Sequence, residues 1–302
     1  MKAGKNRGVK AAFISADFLG LAPVFGKQAI LAGFAPLTVV MLRTSMAAGL
    51  LLAIIFVFKR DYLYIFWLGL AGCVLAGTIN GIGSLFYYMA LGRLSASVGQ
   101  LLYSLYPVFV VIWSFLDRQR PSKLTLFRIF LAIIGVVLIT NFNAEEIDLI
   151  GVFLMLIASA LYALHLPINQ RVLYEVPAPT VTLYTLLSMS GVVIAAYFIF
   201  NLQMPTGNVS WQPVVFLGVK HIGGMQTALL GLGELLITVG AGYWWLGEQL
   251  SLFQWVGVVI LMASLLLVRF EKKDLRKGAG GWLDWIRAPH QLPPDIPWGP
   301  HT

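Results

Sequence analysis

Charge is scarce in this chain. Only 11% of its 302 residues are Asp, Glu, Lys or Arg, against 59% hydrophobic, where soluble domains average about 25% charged. With so little polar surface, the apolar residues cannot be hidden in one water-soluble core, and a soluble globule is excluded. A single cysteine, Cys73, excludes an intrachain disulfide and, lying inside an apolar run, says nothing about compartment. Histidine is also rare, and His290 and His301, two of the four, fall in the C-terminal stretch. The signatures HExxH and GxSxG are missing, as are paired aspartates deep in neighbouring apolar runs. These gaps weigh against a membrane-embedded enzyme, which needs convergent nucleophile, metal or acid–base groups. No GxxxxGK[ST] loop occurs, so ATP drive within the chain is excluded. Strand-period alternation is lacking too, which argues against a barrel.

What remains is a series of long apolar runs, with a mean hydropathy of +0.82. A helix needs ~20 apolar residues to cross the bilayer core. On that measure the runs are Ala11–Leu31, Pro36–Phe58, Tyr64–Leu91, Ala96–Leu116, Leu124–Thr140, Leu149–Leu166, Thr180–Phe200, Met225–Leu246 and Leu250–Val268. Pro167 is expected to end the sixth, because proline cannot continue a helix comfortably. Between the seventh and the next full run lies WQPVVFLGVKHIGG, of which only Pro213–Lys220 is apolar. The reading is an all-α polytopic membrane protein with nine full transmembrane helices and a short, degenerate eighth element near 211–222.

The net charge of +8 is distributed as a topology signal, not as a nucleic-acid footprint. Placing the N-terminus in the cytoplasm puts Lys59, Arg60, Arg118, Arg120, Lys123 and Arg171 in cytoplasmic loops. The opposite loops then hold only Arg93, with Glu145, Glu146 and Asp148. This follows the positive-inside rule. The basic stretch MKAGKNRGVK is too polar to be a signal-peptide core, so the first span is expected to remain uncleaved. Arg269, Lys272, Lys273, Arg276, Lys277 and Arg287 after the last run also ask for the cytoplasm. Ten crossings satisfy them and nine do not, so the eighth element decides parity.

The chain carries an internal echo. With Ser122 set against Ser251, LFRIFLAIIGVVLI pairs with FQWVGVVILMASLLLV, apolar on apolar. The distance from Pro179 to Ser251 is 14 residues shorter than that from Pro36 to Ser122, roughly the length of a missing helix. Two related halves in a membrane often mean a transporter. The boundaries are a cytoplasmic N-terminus at 1–10, a first repeat at 11–141, a second at 149–268 and a cytoplasmic tail at 269–302.

Particular residues then resemble a known family. They are Arg43 in VVMLRTSMAAG, the ending FYYMALGRLSAS, Pro107 in SLYPVFVV, a basic loop followed by IIGVVL, and GMQTALLGLGELL with WWLGEQLS and WVGVVIL. In order and spacing the chain resembles the EamA-type group of the drug/metabolite transporter superfamily over about residues 10–270. That resemblance implies ten helices in two inverted five-helix repeats around a central cavity. It implies movement of small metabolites or drugs with no bound cofactor. Two departures are the shortened eighth element and Leu235, where the family often has proline after the glutamate.

Deep polar residues supply the site candidates. Glu234 sits nine residues into its run, ~14 Å deep at ~1.5 Å per residue. It either binds a cationic or amino group, takes up a proton, or locks its helix to a neighbour by a hydrogen bond. Arg43 lies ~10 Å along its helix and either meets an anionic group, pairs with Glu234, or snorkels outward. Asp17 is six residues inside the cytoplasmic end of the first span, and Lys27 is near enough to the other end to snorkel. Gln100, Tyr103 and Tyr106 recur at spacing three, which places them near one helix face, with Trp113 further along. Asn80 and Gln226 are amides that need partners in lipid. His165, beside Pro167, is a titratable group or a partner of a helix carbonyl.

The leading function is a secondary transporter of a small organic solute working by alternating access, coupled to protons or to exchange. The alternative is a degenerate, non-transporting relative or membrane interaction partner; a membrane enzyme ranks below both. The partners implied are a small-molecule substrate and the lipid bilayer, with a homo-oligomer left open and no nucleic acid. The location implied is the inner (plasma) membrane, multi-pass, N-terminus inside. A reporter fused after Thr302 is expected on the cytoplasmic side in intact cells; an external signal would mean nine crossings and a broken repeat.

Overall fold

The computed structural model describes residues 20–116, 123–141, 148–173, 176–200, 204, 210–220 and 228–267. Among them every regular element is helical. Helix α1 occupies residues 20–31. It is followed by α2 (Pro36–Phe58), a 3-10 turn (Arg60–Leu63), α3 (Trp67–Arg93), α4 (Ala96–Tyr103), α5 (Tyr106–Leu116) and α6 (Lys123–Asn141). The remaining helices are α7 (Leu149–Val172), α8 (Ala178–Ile199), α9 (Gln212–Lys220), α10 (Ala228–Trp245) and α11 (Leu252–Leu266). Five described segments are long and apolar enough to cross a membrane: Pro36–Phe58, Trp67–Arg93, Ala96–Trp113, Leu149–Val172 and Ala178–Ile199.

Most expected runs appear as helices with ends moved by one to three residues, and α2 coincides with its run. Pro36 opens α2 at a first-turn position, where its missing N–H leaves no gap. Of region 211–222, residues 211–220 are described, and they hold the nine-residue helix α9, ~13 Å long against a ~30 Å core. The N-terminal segment 1–10 and the tail 269–302 lie outside the described residues.

Two prolines act differently from each other. The run Ala96–Leu116 is not one helix: it breaks at Ser104 and Leu105, ahead of Pro107. Pro107 has no N–H for the Tyr103 carbonyl. That carbonyl instead accepts from Ser159 Oγ of α7 at 2.9 Å. At the break the backbone tightens, with Leu105 N–H donating to Leu102 O at 3.2 Å and Val108 N–H to Leu105 O at 2.8 Å. Pro167, by contrast, does not end α7, which continues to Val172. Beyond the proline, Ile168 and Val172 are clamped in an apolar cluster with Cys73, Ala76, Val176 and Val181. That packing on α3 and α8 holds the helix through the lost bond.

α3 is the spine of the bundle, packed along α7 and α8, with α6 against α11 and α2 against α8 and α9. At its C-terminal end Arg93 Nη1 meets Asp148 Oδ2 at 2.7 Å. Asp148 also accepts from the N–H groups of Ile150 and Gly151, capping α7. The hydrogen bond from Arg93, and then the two backbone bonds, hold its carboxyl below the usual carboxylate range.

Close approach of α3 to α8 requires glycine at one point. A Cβ on Gly77 would collide with the Thr185 carbonyl, and would lie 2.7 Å from Ser188 Cβ. Neither helix backbone can yield locally. Gly77→Ala is therefore expected to destabilise the protein by about 1–3 kcal/mol, the usual cost of overpacking. Gly191→Ala meets open space and serves as the control. Thermal unfolding in detergent checks the pair: a lowered midpoint for the first and an unchanged or raised one for the second.

Candidate functional site

A cavity of about 270 Å³ runs from the middle of the bundle to the corner between α7 and α8. Its deep end is built by Arg43 of α2, Ser84, Tyr87 and Tyr88 of α3, Gln100 and Tyr103 of α4, and Glu234 of α10. Towards the corner it is lined by Tyr162, His165, Asn169 and Leu173 of α7 and by Val181, Thr182 and Thr185 of α8.

Arg43 does not snorkel outward. Its guanidinium lies over the Tyr88 ring, 4.7 Å from the centroid, and Nη2 donates to Ser84 Oγ at a long 3.4 Å. Its Nε is buried without a partner. Arg43 and Glu234 share the cavity but form no direct ion pair with each other. Glu234 Oε1 accepts from Gln100 Nε2 at 3.0 Å. The carbonyl oxygen of the same amide accepts from Tyr87 OH at 3.4 Å. Gln100, only 3% exposed, thus joins α3, α4 and α10 at one point.

Aromatic rings form the walls. Tyr87 packs edge-on against Tyr103 at 4.9 Å, and Tyr103 against Tyr162 at 5.1 Å. The His165 ring lies 4.9 Å from that of Tyr162. His165 Nδ1 is 2.8 Å from the Tyr162 carbonyl. A carbonyl only accepts, so Nδ1 carries a proton in that contact. Asn80 lines the cavity and its amide reaches Met189 Sδ at 3.6 Å, so it also ties α3 to α8.

The structure separates residues that spacing grouped. Gln100 and Tyr103 line the cavity. Tyr106 does not: it stands behind Tyr162, perpendicular to it at 5.2 Å, because the break before Pro107 resets the helical phase. Trp113 donates its ring N–H to the Ala160 carbonyl of α7 at 3.0 Å and lies away from the cavity. Asp17 and Gln226 lie outside the described residues.

Comparison with known proteins points to membrane transporters. Over residues 6–141, somewhat under half of its length, the chain matches the model of the EamA-like transporter family. It is similar to the uncharacterized transporter YcbK of Bacillus subtilis, with 25% identity over 56% of this chain and 62% of that protein's length. An uncharacterized transporter of Archaeoglobus fulgidus is 24% identical over 60% of this chain and 70% of its own. A solved crystal structure superposes with a TM-score of 0.59 at 16% identity, covering 87% of this chain and 99% of that one. That likeness is one of fold alone.

The sequence left several contributors unmarked. Tyr162 and Ser159 looked like ordinary members of an apolar run. Lys27 is not a snorkelling cation: its Nζ donates to the Leu91 and Leu94 carbonyls at 2.9 and 2.8 Å. Glu248, in the loop after α10, binds the N-terminus of α4. Its signal was the preceding Gly247, whose φ of +68° turns the chain back at the end of α10.

Gln100→Leu would leave Tyr87 OH and one Glu234 oxygen each short of a partner. An unsatisfied buried group costs about 1–3 kcal/mol. Its unfolding midpoint is expected to fall, while Tyr106→Phe, altering a residue off the cavity wall, is expected to change it little. Thermal melts of the two variants decide; equal midpoints would show that Gln100 is not the link described.

Proposed function

We propose that this chain is a secondary transporter that moves a small organic solute across the membrane by alternating access. The observation that carries the reading is a bundle-centre cavity bearing one cation and one carboxylate on opposed helices, walled by tyrosines. A guanidinium with a buried, unpartnered Nε is suited to an anionic or carbonyl group of the solute. Glu234 is suited to an amino group or to a proton, and the ring faces to apolar or cationic parts. Coupling is to protons or to exchange. The whole-chain architecture proposed is two inverted five-helix repeats with α9 as the degenerate eighth element.

Two contacts favour the repeat. The register that sets Ser122 against Ser251 pairs Arg128 with Gly257 and Gly135 with Ser264. In the α6–α11 pairing, Arg128 Nε donates to Ser264 O at 3.2 Å and Ser264 Oγ to Arg128 O at 2.9 Å. Exchange of the halves turns that contact into one between Gly257 and Gly135, and a Cβ on Gly135 would lie 3.3 Å from Gly257 O. A pseudo-two-fold axis between α6 and α11 accounts for both. With the N-terminus in the cytoplasm, the α7–α8 corner and the cavity reaching it face inward.

One observation favours a second reading, a degenerate relative that does not transport alone: α9 is too short to span. Reconstitution in proteoliposomes separates the two. A panel of anionic, cationic and zwitterionic solutes is expected to contain at least one that this protein moves. Glu234→Gln is then expected to cut its flux tenfold or more, with folding retained. No flux of any solute, or flux indifferent to both Glu234→Gln and Arg43→Met, would sink the transporter reading.

A further inference from the structure

At the end of the bundle away from the α7–α8 corner the cavity is shut. On α7 its lining stops at Ala158, and no residue of the helix before that faces it. Closure is made at the corner where α3 ends and α4 begins. There Leu91, Ala96, Leu101 and Met155 are completely buried.

That corner presents two helix ends of opposite polarity, and a charge from elsewhere sits on each. Lys27, from α1, donates to the Leu91 and Leu94 carbonyls at the negative end of α3. Glu248, from the loop after α10, takes the Ala96 N–H at 2.5 Å, the Ser97 N–H at 2.9 Å and the Ser97 hydroxyl at 2.6 Å. Helix-end dipoles favour this assignment of signs. The two charges also attract each other. α4 has a local cap already, since Ser95 Oγ accepts from Val98 N–H; Glu248 therefore adds a contact across more than 150 residues of chain. Gly242 leaves it room: a Cβ there would collide with Ser97 Oγ and lie 2.8 Å from Glu248 Oε2.

Both charges come from one side of a seam. α1 and α10 pack together, with Thr238 Oγ1 donating to Gly20 O at 2.6 Å. At the other end, the halves are joined by Arg128 Nε donating to the Ser264 carbonyl and by two neutral bonds. Thr180 and Tyr184 donate to the Tyr62 and Leu63 carbonyls.

We propose that Lys27 and Glu248 are a charged latch that holds the α3–α4 end of the cavity closed, and that this latch must open for the cavity to reach that side of the membrane. The inference rests on the alternating-access reading, and names the residues that set which side is sealed.

The test reads accessibility, not flux. In a Cys73→Ala background, Ser84→Cys places a thiol on the cavity wall. A membrane-impermeant maleimide is applied to intact cells and to inside-out vesicles, so each face is probed separately. The latched protein is expected to label slowly from the α3–α4 face. Glu248→Ala and Lys27→Met are each expected to raise that rate about tenfold, the effect of losing one charge-assisted bond from only one of two states. Glu248→Gln, still able to accept one amide, is expected to fall between. Should Glu248→Ala not fold, Ser97→Ala removes a single donor and is expected to give a smaller rise. Rates unchanged in every folded variant would overturn the latch. Faster labelling without flux of any solute would sink the transporter reading and leave the latch; retained flux with unchanged labelling would do the reverse.

Discussion

A polar group inside a bilayer has no water to turn to, and the structure is organised by where each such group finds its partner. The backbone answers by being helical over most of the described residues. Exceptions are met one by one. Pro107 frees the Tyr103 carbonyl, and Ser159 of a neighbouring helix takes it. The chain turns sharply between α3 and α4, exposing carbonyls on one side and amides on the other, and Lys27 and Glu248 satisfy them. A buried atom left without a partner, Arg43 Nε, belongs to a side chain on the cavity wall.

Packing follows from the same solvent. Lipid tails are as apolar as the side chains they replace, so helices associate through close fit and hydrogen bonds, not through expulsion of water. Small residues let α3 lie almost backbone to backbone on α8 at Gly77. Hydroxyls then bridge the seams: Thr78 with Ser188, and Ser45 with Ser190. Such contacts are neutral and hold neighbouring helices together. Charged contacts to helix ends are made at the α3–α4 corner.

That distribution gives the cavity its character. At its centre stand a cation and a carboxylate: Ser84 and the Tyr88 face meet Arg43, and Gln100 donates to Glu234. A family match over residues 6–141 agrees with the physical reading of a membrane transporter sequence.

Length and hydropathy by themselves determined the helical membrane class, the position of nearly every helix and the shortness of α9. These depend on local composition, and the bilayer's thickness converts composition into span. They also marked Arg43, Glu234, Gln100, Tyr103, Asn80 and His165, because a polar residue deep in an apolar run is conspicuous. Tertiary structure alone decided which of these meet. Tyr106 shares the spacing of Gln100 and Tyr103, yet a backbone break that no periodicity reveals turns it away from the cavity. Lys27 looked like a charge able to snorkel from the end of its span, and Glu248 was one of the few residues between two apolar runs. Only the approach of α1 and α10 to the α3–α4 corner makes them partners of two helix ends, since a cap from a distant segment depends on which helices are neighbours and not on the residues beside it.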